Sequence, residues 1–128
     1  RLYRYKLTWS GDLPERTARH ATDTYSIPKL AQGVCLTSDS LYVSQSYGHK
    51  PSHIYVYRHE GEGEIDTSKA VGSFELPPML EDIDAADGTL YTLHESGAAE
   101  YRKRYGVGVD RVVTYPLDRL EASLEVTQ

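Results

Sequence analysis

The chain has 128 residues, 39% of them apolar and 26% charged, with a formal net charge of −5. That suits one modest globular domain with a single core and is far from the composition of a disordered chain. No apolar run approaches the ~20 residues of a membrane span, and the acidic balance argues against a nucleic-acid footprint.

Eleven Tyr stand against one Phe and one Trp, and Cys35 is the single cysteine. Tyr suits strands, where its ring covers a half-buried face and its hydroxyl stays wet. A lone cysteine excludes an internal disulfide framework, and its apolar surroundings read as an inert buried thiol.

The chain opens on "RLYRYKLT", already in a strand-like pattern and without Met or a leader. Residues 1–8 read as the last strand of a preceding unit, cut from something longer. A polar linker, residues 10–26, leads to the first of two related stretches. Ile27-Pro28 enters a strand from Gly33 to Thr37, and a tight "SDS" turn follows. A second strand runs from Leu41 to Ser46, Gly48 breaks it, and "HIYVYR", His53 to Arg58, alternates as a third strand. Tyr3 and Tyr5 stand in the places of Tyr55 and Tyr57. The acidic linker "HEGEGEIDTSKA", residues 59–70, reads as a solvated loop without the ligand frame of a Ca²⁺ loop. Both linkers have room for an outer edge strand.

The second stretch repeats the first 49 residues on. Pro28, Leu41, Tyr42 and Gly48 meet Pro77, Leu90, Tyr91 and Gly97, and apolar positions meet apolar positions between. Strands are expected from Asp82 to Ala86 and from Leu90 to Glu95, joined by "DGT", a strong hairpin signal because Gly accepts φ > 0. After an insertion of about nine residues, Arg111 to Leu117 is the third strand. Helix signals are poor. The end, "LDRLEASLEV", reads equally as a helical turn or two capped by Asp118 or as a loop closed by a short strand.

The expected fold is all-β: about two and a half β-propeller units of ~49 residues, with blades at 27–58 and 76–118 and a tail or closing strand at 119–128. One blade cannot bury both faces of its sheet, whereas stacked blades can. Two blades and a spare strand do not close a ring, so remaining blades of the parent chain or of another chain are the expected partners. A compact β-sandwich of about eight strands is the alternative.

In a propeller, ligands gather where inner strands and their loops reach the rim. Gln32 and Glu81 open the inner strands there, and Ser46 and Glu95 sit near the ends of the next ones, with Tyr47, His94 and Ser96 beside them. Asp82 and Asp84 on an inner strand are costly to bury. They imply either Arg or Lys partners on a neighbouring blade or a channel site for a cation or basic ligand. His94, Glu95 and Ser96 cannot act as a triad within one strand, since neighbours point to opposite faces. The insertion "EYRKRYGVGVD", Glu100 to Asp110, puts Arg102, Lys103 and Arg104 between Tyr101 and Tyr105. It reads as an exposed loop hinged at Gly106 and Gly108, and as the best candidate for surface recognition, since repeat insertions tend to lie on the binding face.

"PKLAQGVCLTSDSLYVSQSYG", "SHIYVYR" and "LEDIDAADGTLYTLHESGAAEYR" resemble blades of six-bladed propellers of the senescence-marker/gluconolactonase and NHL-like superfamily. They are most similar to C-terminal blades of secreted actinobacterial propellers, over residues 27 to 118. The resemblance implies a secreted or extracytoplasmic parent. In gluconolactonase-type members a Glu opening an inner strand binds a divalent cation. Glu81 matches that position, but Asp82 follows where the family favours Gly, while Gln32-Gly33 has the Gly without the carboxylate.

The functional expectation is a non-catalytic binding module without cofactor. It recognises a protein or glycan through Gln32, Tyr47, Glu81, His94, Glu95, Arg102 and Arg104. The alternative is a fragment of a metal-dependent lactonase-type hydrolase with Glu81 as metal ligand.

Overall fold

A computed structural model describes residues 1–6, 21–59, 65–105 and 108–124. Residues 10–20 of the first linker, 60–64 of the second, 106–107 and 125–128 therefore lie outside the description, and with them most of the acidic "EGEGEID" segment. Among the described residues the strands are β1 (Leu2–Arg4), β2 (Asp23–Tyr25), β3 (Ala31–Leu36), β4 (Ser40–Gln45), β5 (Ser52–Arg58), β6 (Gly72–Leu76), β7 (Leu80–Ala86), β8 (Thr89–His94) and β9 (Val113–Pro116). Two helices join them, α1 (Ala99–Tyr105) and α2 (Leu117–Ala122). All strand pairing is antiparallel, so the chain is all-β as expected. The order is β1-β2 in a first sheet, β3-β4-β5-β6 in a central sheet and β7-β8-β9 in a third.

The two hairpins share one register. Ala31 faces Gln45 and Leu80 faces His94, each 49 residues on; Val34–Val43, Cys35–Tyr42 and Leu36–Leu41 recur as Ile83–Thr92, Asp84–Tyr91 and Ala85–Leu90. Each ladder is irregular at the same place, with Gln32 or Glu81 as the extra residue. Leu30 and Met79 both take φ of 62°, unusual for a residue with a Cβ. Each then accepts a backbone bond from the residue that follows the second strand by one, Ser46 or Glu95. The "DGT" turn forms as expected, with φ of 48° at Asp87 and 71° at Gly88.

The outer strands also correspond. Tyr25 and Phe74, 49 residues apart, face Leu2 and Ile54, and Tyr3 occupies the place of Tyr55. The first linker does contain an edge strand, β2, whereas the other edge strand, β6, begins at Gly72, just after the second linker.

The three sheets lie in succession. Tyr42, Ile54, Val56, Phe74 and Leu76 of the central sheet pack on Leu80, Ile83 and Leu90 of the third. The opposite face, with Leu41, Val43 and Tyr57, packs with Leu2 and Tyr25 of the first sheet. Ser40 to Ser44 are consequently buried without alternation, the mark of a strand covered on both faces. A two-layer sandwich leaves each sheet one open face, so that alternative does not describe this chain. Among the described residues no ring closes, and no helix is long and apolar enough to cross a membrane.

Several expectations need correcting. The 100–110 segment is not an open loop over its first half, where α1 forms; of its two expected hinges, Gly106 lies outside the described residues. Gly108 is set against the Ser96 carbonyl, and Gly97 against Val109, each so near that an added Cβ would lie 2.5 Å and 2.2 Å from an oxygen. These glycines permit close contact rather than hinge motion. Asp118 does not cap the last helix. Pro116 stands at the N-cap, and Asp118 accepts from the Arg119 amide inside the first turn. α2 forms over Leu117–Ala122, as the helical reading has it, with Leu117, Leu120 and the following Leu124 against the core between the central and third sheets; the end of the alternative strand "SLEV" lies outside the described residues.

A polar clamp fixes α2. Arg58 on β5 donates from Nη1 and Nη2 to the two Glu121 oxygens at 3.0 and 2.9 Å, a bidentate pair. Tyr42 donates to Glu121, Arg58 also donates to Ser40, and Ser40 donates to Asp39. Burial, then Glu121, pushes the Tyr42 hydroxyl pKa up. The Arg58 guanidinium holds the Glu121 carboxyl below its ordinary range. Stabilisation from a depressed carboxylate is complete above the unfolded value of ~4.3 and is lost as pH falls through the folded value. The stability advantage of the native chain over Glu121→Gln should thus be full at neutral pH and shrink below about pH 4.3. Urea midpoints across that range measure it; a gap independent of pH would contradict an ionic clamp.

Candidate functional site

The entries to β3 and β7, the β4–β5 loop and the segment from Glu95 to Val112 all lie at one end of the sheets. Every candidate residue named from the sequence falls in or beside these segments, but they do not converge on one site.

One hollow belongs to the central sheet. Leu30, Ser46, Tyr47, Lys50, Pro51, His53 and Glu75 line it together with Gln45; its volume is about 480 Å³. Tyr47 is 66% exposed and Leu30 52%, an open apolar surface at a strand end. His53 and Glu75 are register partners on β5 and β6, with Nε2 and Oε2 3.9 Å apart. Gln45 is fixed in the hollow from two sides: its Nε2 donates to the Lys29 carbonyl at 2.8 Å, and its Oε1 accepts from Tyr55 at 3.2 Å. Chemically the site offers a ring face beside one ammonium, one carboxylate and one imidazole. That set suits a ligand with an apolar flank and a polar edge.

His94 stands elsewhere. It is the register counterpart of Gln45 and does the same structural work. Its Nδ1 is 3.1 Å from the Pro78 carbonyl, and since a carbonyl only accepts, Nδ1 carries the proton. His94 is buried, and its Nε2 is enclosed without a hydrogen-bond partner. It ties the third hairpin to its entry segment and faces away from the rim. Glu95 is exposed in a 3₁₀ turn, Glu95–Gly97. Ser96, beside it, is buried and accepts from the Val109 amide at 3.1 Å. Arg102 folds back on the loop, with Nε and Nη2 donating to the Gly97 carbonyl at 2.9 and 2.6 Å. Arg104 is exposed on α1.

Gln32 and Glu81 take equivalent bulged positions and are both exposed. Among the described residues no three His, Cys, Asp or Glu side chains gather to hold a metal ion, so Glu81 has no fellow ligands there. The expected neutralisation of Asp82 and Asp84 by Arg or Lys is not found among the described residues. Both are exposed, and their carboxylates accept from the amides of Ile83 and Ala85 at 2.9 and 2.8 Å. Their charges, after burial, help push the nearby Cys35 thiol up to about 12, consistent with an inert cysteine.

The sequence named Tyr47 and missed Leu30, Lys50, His53 and Glu75. The available signal was "GSFEL", whose buried Phe74 and Leu76 alternate with Ser73 and Glu75 and so identify β6 and the partner of His53. A serine relay was also missed: Ser52 donates to Ser46 at 3.2 Å and accepts from the Leu80 amide at 3.1 Å, joining the central sheet to the third. Comparison with protein-family models, with curated proteins and with solved structures finds no match to this chain.

Proposed function

We propose that the chain is a run of β-propeller blades acting as a non-catalytic binding module, with the hollow under Tyr47 as its ligand site. Three features support the propeller reading. The hairpins repeat their register at 49 residues, the outer strands do the same, and the central sheet is covered on both faces. The single observation carrying the binding role is Tyr47, an aromatic ring two-thirds exposed over a cavity with charged walls. Of the protein and glycan ligands expected from sequence, the open ring beside Lys50 and Glu75 favours a glycan, whose sugar ring stacks on Tyr47 while its hydroxyls reach the charged groups.

Titration of ¹⁵N-labelled chain with a panel of oligosaccharides tests this. A binding sugar should shift the Tyr47, Lys50, His53 and Glu75 amides. Tyr47→Ala should weaken it at least about tenfold, or ~1.4 kcal/mol, with an unchanged urea midpoint because the side chain is exposed. A panel that leaves those amides unmoved refutes the glycan site. The lactonase-type alternative requires a divalent cation at Glu81 with ligands from outside the described residues, and amide shifts at Glu81 on adding Ca²⁺, Mn²⁺ or Zn²⁺ would favour it.

A further inference from the structure

The outward face of the third sheet repeats a surface that is covered elsewhere in the same molecule. Tyr91, Leu93 and Val112 lie there, 40%, 49% and 54% exposed. With Asp82 and Asp84 they line a shallow hollow of about 130 Å³. The register counterparts of Tyr91 and Leu93 on the central sheet are Tyr42 and Ser44, 1% and 0% exposed, and Val112 immediately precedes β9. The third sheet itself buries that central face. Among the described residues nothing does the same for the third sheet.

Charge separates the two surfaces. The counterparts of Asp82 and Asp84 are Gly33 and Cys35, so the open face adds two carboxylates along its inner strand. Neither forms an ion pair among the described residues. Burying them against an uncharged sheet would cost several kcal/mol each. A second copy of the chain cannot answer them from its inner strands, because "AQGVCL" of β3 and "LEDIDAA" of β7 contain no Lys or Arg.

We propose that this face docks a β-strand or sheet of a further polypeptide segment whose facing side chains alternate apolar residues with Lys or Arg. The proposal rests on the reading of stacked sheets given above. It continues the existing interface between the central and third sheets by one more step and adds the charge that the new partner must carry.

The test titrates the ¹⁵N-labelled chain with a capped peptide of about ten residues alternating Val and Lys, long enough to lie along one strand, and in parallel with its Val/Glu counterpart. The Lys peptide should give saturable shifts confined to residues 82–84, 91–93 and 112, and the Glu peptide none. Asp82→Asn with Asp84→Asn should weaken the Lys peptide at least about tenfold while the urea midpoint shows the variant folded; if the pair fails to fold, Asp84→Asn alone should weaken it in the same sense. Equal response to both peptides, shifts away from this face, or unchanged binding by the Asn variants overturns the proposal. So does sedimentation showing that the chain alone associates through this face, which would make the partner a second copy. Shifts at Tyr47 and His53 report only on the glycan hollow, so the two readings fail separately.

Discussion

Ile54→Ala should lower the unfolding free energy by about 2–5 kcal/mol, read as a fall in the urea midpoint at constant slope. Ile54 is fully buried where the central sheet meets the third. Removing its outer carbons loses their transfer free energy and leaves a cavity that a β-ladder bonded on both sides cannot close. Val112→Ala is the internal control. Val112 immediately precedes β9 on the open face of the third sheet and is 54% exposed, so its truncation should cost within about 0.5 kcal/mol. Similar losses at the two positions would mean that the sheets do not stack as described.

Gly33→Ala should cost about 1–3 kcal/mol, although the change adds a single methyl group. A Cβ at Gly33 would stand 2.6 Å from Asp82 Oδ1, 2.9 Å from the Ile83 nitrogen and 3.0 Å from the Asp82 Cα. Two of those atoms are backbone, so a side-chain rotation cannot relieve the clash, and β3 must move away from β7. That movement also strains the bond from the Gly33 amide to Ser44 Oγ, 2.7 Å long and buried. Amide hydrogen exchange in the variant should rise first along β3 and β7. A neutral substitution with unchanged exchange would rule out the close approach of the inner strands on which the stacking depends.

The hairpins were legible in the sequence because every signal that makes them is local. Alternation in "SHIYVYR", the Asp87-Gly88 turn and the matched proline entries act over a few residues, and a fixed register follows once the turn is set. The 49-residue correspondence was legible for the same reason, down to Tyr3 standing for Tyr55. α1 was not, and α2 was only one of two equal readings of the C-terminal stretch. α1 and α2 are short and weakly patterned, and α2 is held by Leu120 in the core and by a clamp between Arg58 and Glu121, 63 residues apart.

The candidate site divides along the same line. Tyr47 is visible as an aromatic residue before the glycine that ends a strand. Its setting needs Glu75, which reaches His53 only when β6 lies beside β5. His94 looked like a rim residue and is a buried strut, because burial follows from which face the neighbouring sheet covers. By itself, then, the sequence determined strands, turns and repeat distance, all products of backbone preference and side-chain alternation. Only the tertiary structure decided which faces are hidden, where the charged residues find or lack partners, and where a ligand has room, since these depend on contacts between segments far apart in the chain.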